Sequence, residues 1–257
     1  MERKFVVGGN WKMHRGTPSD AKMMLKKFLK LVKKIENVDI IIAPPFTAIP
    51  FTTEYVKKSK VKIGAQNMYF EKKGAYTGEI SPVFLKEIGC EYTILGHSER
   101  RHIFNETDEL INKKLKLALN MNLKPIVCIG ELLEEREAGQ TNEIIEKQFK
   151  GSFRDLKEEE ITNIIIAYEP VWAIGTGKTA TPEQAEEVHQ HVRDLIKKTY
   201  SESVSKQIRI QYGGSIKPHN AEELFKQKNI DGGLVGGASL EAESFSEIIK
   251  SAEMLSK

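Results

Sequence analysis

The chain is predicted to fold as a single (β/α)8 barrel, a closed eight-stranded parallel sheet inside a ring of helices, and three observations predict it. Eight short apolar or β-branched segments recur along 257 residues, amphipathic helical stretches separate them, and no Pro/Gly/Ser-rich linker divides the chain. Strict alternation of strand and helix demands parallel pairing, because parallel strands need a crossover connection. One barrel of this kind uses about 250 residues, so residues 1–257 are read as one catalytic domain. A doubly wound open sheet satisfies the same alternation. In either fold the functional residues gather at the C-terminal ends of the strands.

The strand segments are 5–9, 39–43, 62–66, 92–96, 125–130, 164–168, 208–212 and 233–235. Several read as strands buried on both faces. Between them lie explicit helix starts: Thr17-Pro18-Ser19-Asp20, Ser81-Pro82, Thr107-Asp108-Glu109 and Thr181-Pro182-Glu183-Gln184. A hydroxyl side chain ahead of the first helical turn, with Pro inside that turn, is an N-cap signature.

Composition narrows the function classes. Apolar residues make up 40% and charged residues 29%, and no run approaches the ~18 apolar residues of a membrane helix, so no membrane span is expected. A net charge of +3 is too small for a nucleic-acid surface, which needs clustered cations. The lysines at 26, 27, 30, 33 and 34 alternate at helical spacing with Met24, Leu25, Phe28, Leu29, Val32 and Ile35, and read as the solvated face of a helix. Residues 1–7 do not make a signal peptide, and a cytoplasmic chain is expected. Cys90 and Cys128 form neither a CxxC nor a His-paired ligand set and read as reduced structural thiols. His189 and His191, two apart on a helix, point to different sides, which is poor metal geometry.

Chemistry concentrates just past the strand ends. Asn10 and Lys12 follow the first strand, His97-Ser98-Glu99 the fourth, Glu169 the sixth, Gly213-Gly214-Ser215 the seventh and Gly236-Gly237 the eighth. Barrel closure would gather a cation, an imidazole, a carboxylate and bare backbone N–H groups on one rim, a set suited to a phosphorylated substrate. Taken singly each has a plainer reading: a solvated Lys, a hydrogen-bonded structural His, a tight glycine turn. Gly175-Thr176-Gly177-Lys178-Thr179 matches only the tail of a nucleotide-binding P-loop, since Trp172 stands where the motif's first glycine belongs.

The stretch Ala167-Tyr168-Glu169-Pro170-Val171-Trp172-Ala173-Ile174-Gly175-Thr176-Gly177-Lys178 resembles the catalytic base and lid of the triosephosphate isomerase family. Gly9-Asn10-Trp11-Lys12-Met13, Gly96-His97-Ser98-Glu99-Arg100-Arg101, Tyr212-Gly213-Gly214-Ser215 and Leu234-Val235-Gly236-Gly237-Ala238-Ser239 join it in family order, covering essentially the whole chain. The departures are His14, where many members carry Asn, and Gly233, where many carry an aromatic residue.

The resemblance implies a TIM barrel that interconverts dihydroxyacetone phosphate and D-glyceraldehyde 3-phosphate through an enediol(ate), with no cofactor and no metal, in glycolysis and gluconeogenesis. It implies Glu169 as base, His97 as neutral electrophile, Lys12 and Asn10 at the developing oxyanion, and Glu99 and Ser98 in support. Ile174 and Leu234 would give apolar cover. The amides of Gly175, Ser215, Gly236 and Gly237 would hold the phosphate beneath a lid over 170–179. Family members are dimers or tetramers, so a homodimer is expected, with tetramer the alternative. The loop around Thr77 would dock beside the neighbouring subunit's site, although by itself it reads as a surface loop. A silent scaffold barrel, or a barrel acting on another sugar phosphate, are the rival readings. The full polar set argues against the first and the Glu169 lid segment against the second.

Overall fold

A computed structural model describes residues 3–174 and 179–256. The strands are β1 Phe5–Asn10, β2 Val38–Ala43, β3 Lys62–Ala65, β4 Tyr92–Leu95, β5 Lys124–Ile129, β6 Ile165–Tyr168, β7 Arg209–Tyr212 and β8 Gly232–Val235. They pair in parallel in sequence order, and β8 returns to β1 to close the barrel, with Val6 opposite Gly232 and Gly9 opposite Val235. The fold is therefore a single (β/α)8 TIM barrel, and the open-sheet alternative is excluded. Each expected strand is present within a residue or two of its anticipated ends.

Why these segments are apolar throughout follows from the pleat. Side chains of one strand alternate between two buried faces. Val6, Ile41, Ala43, Ile94, Ile126, Cys128, Ile165, Ala167 and Leu234 form one cluster. Their chain neighbours Val7, Ile40, Ile42, Leu95, Val127, Ile129, Ile166 and Val235 belong to a second, shared with helix residues such as Leu25, Ile111, Val192 and Ile249. The first set fills the barrel and the second seats the helices. Each fully buried Val or Ile contributes roughly 1.5–3 kcal/mol of transfer free energy.

The helices among the described residues are α1 Pro18–Leu31, α2 Ile49–Val56, α3 Pro82–Glu87, α4 Ser98–His102, α5 Asp108–Asn120 and α6 Leu133–Glu137. They continue with α7 Thr141–Ser152, α8 Glu158–Ile161, α9 Pro182–Thr199, α10 Glu202–Gln207, α11 Pro218–Phe225 and α12 Ala242–Leu255. The four anticipated caps all form. Thr17, Ser81, Thr107 and Thr181 accept from the amides of Asp20, Val83, Leu110 and Gln184. On α9 the buried residues Ala185, Val188, His189, Val192, Leu195 and Ile196 recur at the helical period and make one stripe toward the barrel.

The departure at Gly233 has a local explanation. A Cβ placed there would run into Cδ1 of Ile216, which already fills the space between β8 and the turn after β7. No helix among the described residues is long and apolar enough to cross a membrane.

Candidate active site at the C-terminal rim

Asn10 ends β1 and is buried. Two residues on, Lys12 has φ 50°, a left-handed conformation that costs a non-glycine residue about 1–3 kcal/mol and persists only where its surroundings hold it. Two side chains hold it. Its N–H donates to Asn10 Oδ1 at 2.9 Å, and Gln66 Nε2 donates to the Lys12 carbonyl at 2.8 Å and to the Ala43 carbonyl at 2.9 Å. The Lys12 ammonium then reaches across the rim to Glu99 Oε1 at 2.7 Å. Partial burial opposes ionisation of Glu99, but the hydrogen bond from Lys12, the adjacent His97 ring and the Lys12 charge hold its carboxyl below the ordinary range.

His97 follows β4 and caps α4. Its Nδ1 accepts the Glu99 N–H at 3.2 Å, which assigns the lone pair to Nδ1 and leaves Nε2 to carry the hydrogen of the neutral ring. Nε2 lies 3.1 Å from Glu169 Oε1. The other Glu169 oxygen accepts the Ser98 N–H at 2.8 Å, so both oxygens of a carboxylate only 2% exposed are engaged. Room for this side chain depends on Gly213, where a Cβ would stand 2.8 Å from Glu169 Cγ. Behind it lies Cys128, whose thiol is pushed well above its usual range by burial first and by the Glu169 charge second.

A cavity of about 510 Å³ opens over these groups. Asn10, Lys12, His97, Glu169, Ile174, Ser215, Leu234, Gly236 and Gly237 all border it. Ser98 and Glu99 do not line it and act from behind, through Glu169 and Lys12 respectively. Gly175 lies outside the described residues, together with the rest of 175–178. Thr77 is exposed and away from the cavity, on a loop closed at its base by the Tyr69 N–H to Ile80 carbonyl bond of 2.9 Å.

Several contributors escaped the sequence reading. Gln66 is one. Lys217 and His219, just past Ser215, also border the cavity. The largest omission is Glu131, fully buried after β5. Its Oε1 accepts from Tyr168 Oη at 3.0 Å, Trp172 Nε1 at 2.9 Å and Arg136 Nη1 at 3.2 Å, and its carbonyl accepts the Val171 N–H at 3.0 Å. The Arg136 guanidinium also lies over the Trp172 ring, 5.1 Å from its centroid. One residue thus ties the segment 171–172 after β6 to the β5 rim. Sequence offered one signal, an acidic residue directly after a strand.

Among the described residues no cluster of three or more His, Cys, Asp or Glu side chains is placed to hold a metal ion.

A closed parallel barrel whose C-terminal rim unites a buried carboxylate, an imidazole and a cation around one cavity defines the class: a (β/α)8-barrel protein with a candidate acid–base site. Within that class the chain belongs to the triosephosphate isomerase family, whose family model, described as "Triosephosphate isomerase", matches residues 5–252. It is 51% identical over 253 residues to the triosephosphate isomerase of Chloroherpeton thalassium, covering 98% of this chain and 100% of the relative. The triosephosphate isomerase of Fusobacterium nucleatum is 52% identical over 96% of this chain and 98% of its own length. That of Dictyoglomus thermophilum is 50% identical over 97% and 100%.

Proposed function

We propose that this chain is one catalytic domain that interconverts dihydroxyacetone phosphate and D-glyceraldehyde 3-phosphate, serving glycolysis and gluconeogenesis in the cytoplasm. The observation that carries the reading is the 3.1 Å approach of His97 Nε2 to Glu169 Oε1 beside Lys12 on one cavity. Glu169 removes a proton from the hydroxyl-bearing carbon next to the carbonyl. The electron pair moves onto the carbonyl oxygen, and the resulting enediolate is stabilised by the Nε2–H of His97 and the ammonium of Lys12. His97 then passes its proton to that oxygen and recovers one from the neighbouring hydroxyl. Glu169 returns its proton to the adjacent carbon, so nothing is consumed and no cofactor is required.

Carbon acids need a basic carboxylate. Leu234 and Ile174 border the same cavity as Glu169 and give the reacting carbon apolar cover. To reach carbon the carboxylate must leave the Ser98 amide, and a substrate oxygen takes its place beside Nε2. The phosphate is held by the amides of Ser215, Gly236 and Gly237, with Gly175 contributed by the lid, and Asn10 orients the oxyanion beside Lys12. A coupled assay supplied with D-glyceraldehyde 3-phosphate tests the reading, and no turnover would end it.

The reading extends to a homodimer. Met13 is 94% exposed, and Ile103 and Phe104 are 66% and 61% exposed. With Tyr76 beside Thr77 they are large apolar side chains on the surface of a single chain, which favours association. Nucleic acid and membrane are not partners in this reading.

A further inference from the structure

Phosphate binding, as proposed above, asks the Ser215 amide to point steadily into the cavity, yet Ser215 follows two glycines whose backbone freedom must be removed by something else. The structure offers Asn220, on the first turn of α11. Its Nδ2 donates to the Ser215 carbonyl at 3.1 Å and its Oδ1 accepts the Lys217 N–H at 2.8 Å. The amide orientation is not ambiguous, because only Oδ1 can accept from an N–H. One side chain therefore fixes the peptide planes on both sides of Ile216, and the Ile216 side chain is itself wedged against Gly233. Lys217, the next residue, borders the same cavity.

We propose that Asn220 is a positioning residue for the phosphate: it clamps the two peptides that follow Ser215, and so anchors from its C-terminal side the residue whose N–H, in the Gly214–Ser215 peptide, meets the dianion. The proposal rests on the isomerase reading and adds to it a residue that touches no substrate. Preorganisation of this kind lowers KM and leaves the proton transfers alone, because their groups follow β1, β4 and β6.

The test uses Asn220→Ala and Asn220→Asp in the full chain. Inhibition by inorganic phosphate, KM and kcat with D-glyceraldehyde 3-phosphate, and proton exchange into unphosphorylated glyceraldehyde in D2O are measured beside thermal melts. Loss of one part-buried hydrogen bond corresponds to about 3- to 10-fold. Asn220→Ala should raise KM and the phosphate inhibition constant together by that factor, with kcat and glyceraldehyde exchange unchanged. Asn220→Asp keeps the acceptor that caps α11 and loses the donor to Ser215. Its added charge is separated from the lost donor by repeating the measurement, against wild type, in 0.5 M KCl, where a Debye length of roughly 4 Å screens repulsion. Phosphate inhibition should stay weakened there.

Wild-type phosphate affinity for Asn220→Asp in high salt would reduce Asn220 to a helix cap and overturn the proposal. So would an equal fall in glyceraldehyde exchange for either variant, because phosphate plays no part in it. An inactive wild type would instead remove the isomerase reading itself, and with it the phosphate role of Asn220.

Discussion

His97 and Glu169 face each other at 3.1 Å across the barrel rim, and each is oriented by a backbone amide of the residues that open α4. The Ser98 N–H holds the carboxylate and the Glu99 N–H holds the imidazole, so one helical turn sets both ends of the pair. Because the imidazole accepts at Nδ1, it presents a hydrogen and not a lone pair to whatever occupies the cavity.

Replacing Glu169 by Gln keeps the side chain's volume and an oxygen for the Ser98 amide while removing the base. The variant is expected to melt with wild type, to bind substrate, and to lose roughly 10² to 10⁴ in kcat. Retention of more than a tenth of kcat would take Glu169 out of the mechanism.

Lys12→Met removes a cation that serves phosphate and oxyanion together. Calorimetry with an unreactive phosphorylated analogue should register weaker binding, and turnover should fall as well. Because the hydrogen bond and charge of Lys12, with the adjacent His97, outweigh the burial of Glu99, the Glu99 carboxyl should also titrate higher in the variant. A carbon-detected NMR titration reads that shift directly, and an unchanged analogue affinity would leave the glycine-rich amides as the sole phosphate ligands.

Shortening residues 74–79 should give a monomer whose activity collapses although Glu169 and His97 are untouched. Sedimentation velocity beside steady-state kinetics distinguishes the outcomes, and a fully active monomer would uncouple the Thr77 loop from catalysis.

Burial pushes the His189 imidazole down to about 3 against its hydrogen bond to the Asn229 carbonyl, and the Arg193 charge adds to the depression. The unfolded chain therefore binds a proton between about pH 6.5 and 3 that the folded chain refuses, so acidification through this window destabilises the fold. The slope approaches about 1.4 kcal/mol per pH unit for one proton. His189→Gln, which still donates to Asn229, should flatten the acid limb of urea-unfolding stability relative to wild type. Parallel limbs would mean that His189 is protonated in the native state.

Strands and capped helix starts were legible because both are local. Pleat alternation and a hydroxyl ahead of Pro act within four residues. The polar rim was legible because barrel closure brings every strand end to one place, so adjacency to a strand end sufficed for Asn10, Lys12, His97 and Glu169. Glu131 also stands past a strand end, but its role was not legible, because its partners Tyr168 and Trp172 stand 37 and 41 residues away. Lys114 illustrates the same limit. On an amphipathic helix it reads as surface, yet it is buried and donates to Asn67 Oδ1 at 2.9 Å and to Glu106 Oε1.

The exchange of volume between Ile216 and Gly233 constrains the order in which this pair can change over evolutionary time. A larger residue at 233 requires the Ile216 terminal methyl to move or residue 216 to shrink, while shrinking 216 alone opens a void against the turn that carries Ser215. Each single step therefore disturbs the packing beneath the Ser215 turn. A library varying the two positions together should recover active pairs that neither single-site scan contains.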